Sequence, residues 1–507
     1  DINALAVYEV AEGESYGFRA LRENQLIPGY DLQPGFSEAQ DGTFGFASNS
    51  ARLSYIGRLN YTYAGKYMLE SSFRYEGSVK FPPETRWGFF PAVSLGWRIS
   101  DEPFFRDNIN FIQDMKFRVS GGLLGNDGIG SRQWEYSYGQ SGGAFLGGSG
   151  VTNGLNPRNN GLILTGQTWE KTRFFNGGID MLLNNNLKIG VDGFYRYTFD
   201  ILGTRASALP GNVGVNNMPG ENYGRMEAWG FDGSVTYNGY VNKDFSYSIG
   251  IVGGWNQNRV LEIFQNQAVI GTWRDEQGRM RGGNDGLQAI GIIRTQDQLD
   301  RILEENPNMT IFGRIPELGM MMYKDVGGPD FSDEPDGVID ENDLRMIAPA
   351  VPSIGFSFNL GASYKGFRVD TQLGLSGIGT QVFYDQQSYN PSGVNSLLNM
   401  PSFWNDHWTP ENPDAAFPRP ALYGGENRRS TFWMRNGTTM NLNIVNVSYS
   451  LPSHLAERLG VPQLRFYFTG RNLWRIINPF DYKDPSLSRF DEYPILRTLN
   501  FGLNITI

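Results

Sequence analysis

Residues 51–105 read ARLSYIGRLNYTYAGKYMLESSFRYEGSVKFPPETRWGFFPAVSLGWRISDEPFF, and their parity decides the fold. Leu53, Tyr55, Leu59, Tyr61 and Tyr63 share one parity; Ser54, Arg58, Asn60 and Thr62 share the other. After Ala64 and Gly65 the alternation resumes, with Tyr67, Leu69, Phe73 and Tyr75 against Glu70, Ser72 and Arg74. It resumes again with Trp87, Phe89, Val93, Leu95, Trp97 and Ile99 against Gly88, Ser94, Gly96 and Arg98. Side chains of a strand alternate between two faces, so each segment has one apolar and one polar face. The apolar face is rich in Tyr, Trp and Phe near segment ends, and the polar face carries Arg and Glu in mid-segment. That pattern fits an all-β fold, a transmembrane antiparallel β-barrel with aromatic girdles outside and a polar lumen.

Composition agrees. The chain has 507 residues, 64 Gly, 14% aromatic residues, no Cys and two His. No apolar run is long enough for a spanning helix, and the low mean hydropathy suits a barrel, in which only alternate residues meet lipid. The absence of Cys excludes disulfides and thiolate chemistry. A net charge of −10 argues against nucleic acid as a partner.

Outward from the opening stretch, the same parity marks strands at residues 3–11, 115–123, 172–181, 187–197, 229–237, 245–255, 354–364, 367–377, 440–449, 464–474 and 499–507, about 14 in all. Alternation over 440–449 is imperfect, as at a bulge. Connections alternate between short and long. Short turns belong on the periplasmic side and long loops outside, which puts Asp1 and Ile507 on the periplasmic side.

The run RLNYTYAGKYMLESSFRYEGSVKF followed by WGFFPAVSLGWRISDEPFF resembles the SusC/RagA-like branch of TonB-dependent outer-membrane transporters. The resemblance returns at DGVIDENDLRMI, YKGF, WTPENPDAAFPRP and DPSL, and so covers essentially the whole chain. It implies a barrel of about 22 strands with a plug, of which residues 1–507 would be the C-terminal part, closing against the remaining barrel and plug segment. It also implies a cell outer-membrane location, no enzymatic activity and a SusD-like surface lipoprotein as lid. Energy would come from TonB through the part before Asp1, and cargo would be oligosaccharides (glycans) or, in RagA-type members, oligopeptides. The residues alone leave open a passive channel of about 14 strands. A hydrolase is disfavoured by the scarcity of His.

Three groups are candidate sites. Residues 332–343 fit a degenerate EF-hand loop: Ser332, Glu334 and Asp336 stand at positions one, three and five, Gly337 at six, Asp340 at nine and Asp343 at twelve. Glu334, Asp336, Asp340 and Asp343 are therefore candidate Ca2+ ligands, with Asp325, Asp330 and Asp333 as further oxygens; the alternative is a solvated acidic turn. The aromatic loop around Trp404, Asn405 and Trp408, with Phe383, Tyr384 and Tyr389 nearby and Trp273 in the preceding long loop, is a candidate surface for substrate or lid; the alternative is aromatics that only pack the loops. Inward positions Arg58, Arg74, Arg98, Lys116, Arg118, Lys188, Arg196, Arg368, Arg465 and Arg471, against Glu70, Asp192, Asp232 and Asp370, suggest a basic lumen wall meeting a plug or attracting anions.

Overall fold

The computed structural model describes residues 1–19, 44–130, 134–135, 138–144, 152–157, 165–203, 220–329, 332–384, 401–420, 428–488, 490 and 492–506. Tyr389, Asp330 and Ile507 lie outside them. Fourteen strands make one antiparallel sheet in chain order. They are β1 (Ile2–Arg19), β2 (Phe44–Tyr63), β3 (Tyr67–Ser78), β4 (Trp87–Arg98), β5 (Ile112–Asn126), β6 (Glu170–Leu183), β7 (Leu187–Gly203), β8 (Glu221–Asn242), β9 (Phe245–Glu262), β10 (Ser353–Tyr364), β11 (Phe367–Ser376), β12 (Thr439–Ser450), β13 (Gln463–Ile477) and β14 (Thr498–Thr506). No helix among the described residues is long and apolar enough to cross a membrane.

The tight turns sit where the alternation breaks. Asn184 and Asn185 have φ of 48° and 60°, and Lys365 and Gly366 have 45° and 88°. Two successive residues in the left-handed region match the right-handed twist of the flanking strands, and Asn and Gly tolerate that region best. β12 carries the bulge its sequence suggests, with register shifts against both neighbours. β2, β8 and β9, at 20, 22 and 18 residues, are longer than the roughly 9–11 needed to span the hydrocarbon, so they extend past it.

The two faces divide as parity requires. Tyr61, Val93, Val235 and Leu503 are exposed on the outer face and Leu69 is half-buried there. Rings meet across strands on that face, Tyr75 with Trp87 at 4.8 Å and Phe367 with Tyr449 at 4.3 Å between centroids. On the inner face the expected basic wall is corrected. Arg118 donates to Asp180 at 2.7 Å and to Asp192 at 2.9 Å. Arg58 meets Glu70 at 2.6 Å, Arg74 meets Glu76 at 2.7 Å and Glu9 at 3.0 Å, and Arg98 meets Asp114 at 3.4 Å. Glu9, Glu76, Asp114 and Asp180 supply the missing negative charge, so this part of the wall is a lattice of ion pairs.

A second correction concerns closure. β1 and β14 each pair with one neighbour and not with each other, so the described sheet is open and does not form a closed channel of about 14 strands.

Candidate functional site

The long connection of residues 263–352 is a folded unit. Four of its short strands pair as Asn284–Gly286 with Arg345–Ala348 and Ala289–Ile292 with Met321–Tyr323, and Thr310–Ile311 runs parallel to Val338–Ile339. Helix Gln296–Glu305 begins at a capping box in which Thr295 accepts from the Gln298 amide and Gln298 reaches back to the Thr295 amide. Leu287, Ile293, Ile311, Met320, Met321, Tyr323 and Ile339 form its core, each at most 2% exposed.

Residues 401–420 and 428–436 of the next long connection lock into this unit. Leu287 and Ser430 form a parallel bridge, the Leu287 amide donates to the Arg429 carbonyl at 2.9 Å, and the Ala289 amide donates to the Thr431 hydroxyl at 3.0 Å. The Arg419 amide donates to the Gly319 carbonyl at 2.9 Å. Trp408, 8% exposed, and Ala415 enter the core of the 287–339 unit, and Trp408 Nε1 donates to the Arg294 carbonyl at 3.4 Å. The two loops make one body at the long-loop end of the sheet.

This geometry places the aromatic candidates. Phe403, Trp404 and Trp433 form a buried cluster with Phe383, Tyr384, Phe417, Phe432 and Tyr482 against it. Trp404 is 4% exposed, so its ring packs the loop. Tyr384 is half-buried, with the Arg435 guanidinium 4.4 Å from its ring centre, and Asn405 is exposed beside the cluster. Trp273 stands apart, half-buried under the Arg274 guanidinium at 5.0 Å. It lines a cleft of about 660 Å³ with Arg279, Met280, Arg281, Asp285 and Met346. The sequence reading missed Trp433 and Tyr482, which complete the aromatic cluster, and the charged and methionine lining of the cleft. The Thr295–Gln298 box was a legible sign that the loop is folded.

The acidic segment is tied to backbone amides. Gly337 has φ of 82°, the turn its position needs. Asp325 accepts from the Gly337 amide at 2.6 Å, Asp336 from the Val338 amide at 2.9 Å and Asp340 from the Asn342 amide at 2.6 Å. Asp343 is fully buried and accepts from the amides of Val326, Gly327 and Asp340 at 2.8, 3.1 and 2.8 Å. Burial pushes its pKa above the ordinary aspartate value, against the pull of those three amides. Glu334 is exposed. Among the described residues no group of three His, Cys, Asp or Glu side chains could hold a metal ion.

No protein-family model matches the chain. It is 25% identical to the TonB-dependent receptor SusC of Bacteroides thetaiotaomicron over 98% of its length and 47% of the relative's. It is also 25% identical to the TonB-dependent receptor P3 of Formosa agariphila over 97% of its length and 49% of that protein's. The chain is a homologue of the TonB-dependent receptors. Its fold is that of a chain in the structure of the RagAB peptide importer, which superposes over the whole chain and 52% of that structure's chain with a TM-score of 0.72 at 20% identity. The sheet thus has the fold of part of an outer-membrane β-barrel. The chain spans about half the length of the curated relatives it matches.

Proposed function

We propose that the chain supplies much of the barrel wall and the outer vestibule of a TonB-dependent importer. Sequence similarity to SusC along 98% of the chain carries this reading, and the long loops folded into one body at one end of the sheet supply a vestibule. The free edges of β1 and β14 are satisfied by the rest of the barrel, because unpaired backbone groups cannot face lipid. A SusD-like lipoprotein closes over the loop body, TonB acts through the plug, and the cargo is an oligosaccharide that meets the cleft at Trp273. Charges of both signs beside methionines in that cleft favour a second reading, an oligopeptide.

The test is growth of the source bacterium on purified oligosaccharides or on peptides, with the gene intact, deleted, or intact in a strain lacking TonB. Import of the proposed kind is lost in both mutant strains on one nutrient class. Growth that needs this gene and not TonB would identify a passive pore.

A further inference from the structure

Apart from edge strand β1, charged side chains on the outer face are confined to one sector. By register, every outward position of β2–β5 and β10–β14 is apolar, aromatic, glycine or uncharged polar. Apart from edge strand β1, which carries Glu12 and Glu14, outward charge appears only in β6, β8 and β9, towards their long-loop ends. There Arg173, Tyr197, Glu227 and Arg259 lie side by side across β6–β9, with Lys171 one outward step above Arg173. One outward step on the other side, about 6.7 Å along the strands, lies the row Phe175, Tyr195, Trp229. Aromatic rings at that height mark the interface, so the charged row sits at headgroup level.

The row is organised to keep its cations outermost. Glu227 is 8% exposed and accepts from the Tyr195 hydroxyl at 2.8 Å and from Arg259 Nε at 2.6 Å. Half of the Arg259 side chain stays exposed, with its guanidinium 5.8 Å from the Trp229 ring centre. Arg173 is exposed, lies 5.0 Å from the Phe199 ring centre and has no carboxylate partner among the described residues. Lys171 pairs with Asp200 at 2.9 Å.

We propose that Arg173 and Arg259, three strands apart, each bind a phosphate of lipid headgroups in the outer leaflet. A guanidinium offers a planar pair of donors matched to phosphate oxygens. The neighbouring rings rest on the acyl boundary, and the buried carboxylate fixes Arg259 without presenting negative charge to the lipid. This inference rests on the outer-membrane setting with the long loops outside, and it is independent of what is imported.

The test uses the protein as purified with its natural partners in mild detergent. The probe is the phosphorylated glycolipid of the outer leaflet, fluorescently labelled, beside the same lipid after phosphatase treatment. Wild-type protein is expected to prefer the phosphorylated form. Arg173→Gln, which leaves every ion pair of the row intact, is expected to weaken that binding about fivefold, and Arg259→Gln added to it by about as much again. Arg173→Lys should restore part of the loss. Raising salt should erase the preference. Equal binding of the two lipid forms by wild type, or unchanged binding by an Arg173→Gln protein that keeps its folded electrophoretic mobility, overturns the proposal. Import is measured separately and its loss or retention does not bear on this outcome.

Discussion

Asp343 shows how a single carboxylate can hold a loop together. It satisfies three amides, that of Gly327 buried and those of Val326 and Asp340 part-buried. Asp343→Ala should cost the loop body about 3 kcal/mol, seen as faster hydrogen exchange at Val326 and Gly327 with the sheet unchanged. Calcium would have to compete with those amides. Titration of chelator-treated protein decides: the amide bonding predicts no binding heat, and a heat that disappears with Asp336→Ala and Asp340→Ala together would assign the loop to the cation instead. Asp275 behaves differently. The Gly271 amide, then Gln265, hold its pKa below the ordinary aspartate value. A lowered folded-state pKa means a contribution that is full above the ordinary value and is lost as pH falls through the lowered one. Exchange protection at Gly271 and Gln277 should therefore fade on acidification through that window. Asp275→Asn should remove the pH dependence; protection that ignores pH in the wild type would refute the assignment.

The strands were legible and the loops were not, for one physical reason. A strand that separates lipid from a polar lumen must alternate over many residues, and residues 51–105 do so three times over. The loop body is built from strands of two to four residues, too short to show a period, and its core joins distant stretches: Trp408 and Arg294 are 114 residues apart. Trp404 and Trp408 therefore read as exposed aromatics in a polar loop, whereas tertiary packing buries both. Trp408→Ala should open a cavity costing about 3–5 kcal/mol. Limited proteolysis should then cut residues 263–352 and 401–436 together while the barrel stays resistant. On the sheet, Val93→Arg or Val235→Arg should cost roughly 2–4 kcal/mol at mid-bilayer depth, and less near the interfaces. The chain has no native cysteine, so a single one introduced at either position should react with a lipid-soluble probe, while one at Asp232 should not. Equal labelling of both parities would remove the barrel reading.

At the scale of the whole molecule, the sheet has two exposed edges that it cannot satisfy alone. Residues 1–507 produced alone should fail to give a heat-modifiable barrel in detergent, and supplying the complementary strands should restore it. A stable closed barrel from this span alone would revive the passive channel. The interlocked loops constrain how the chain can exchange segments with its relatives. Leu287 is zipped to Ser430, and the socket for Trp408 is made by residues that precede it by about a hundred positions. A recombination event that imports only one of the two loops from a relative brings a key without its lock. If the proposed import function holds, a new cargo preference has to be inherited in a double package, and a chimera that exchanges both segments should fold where either single exchange does not.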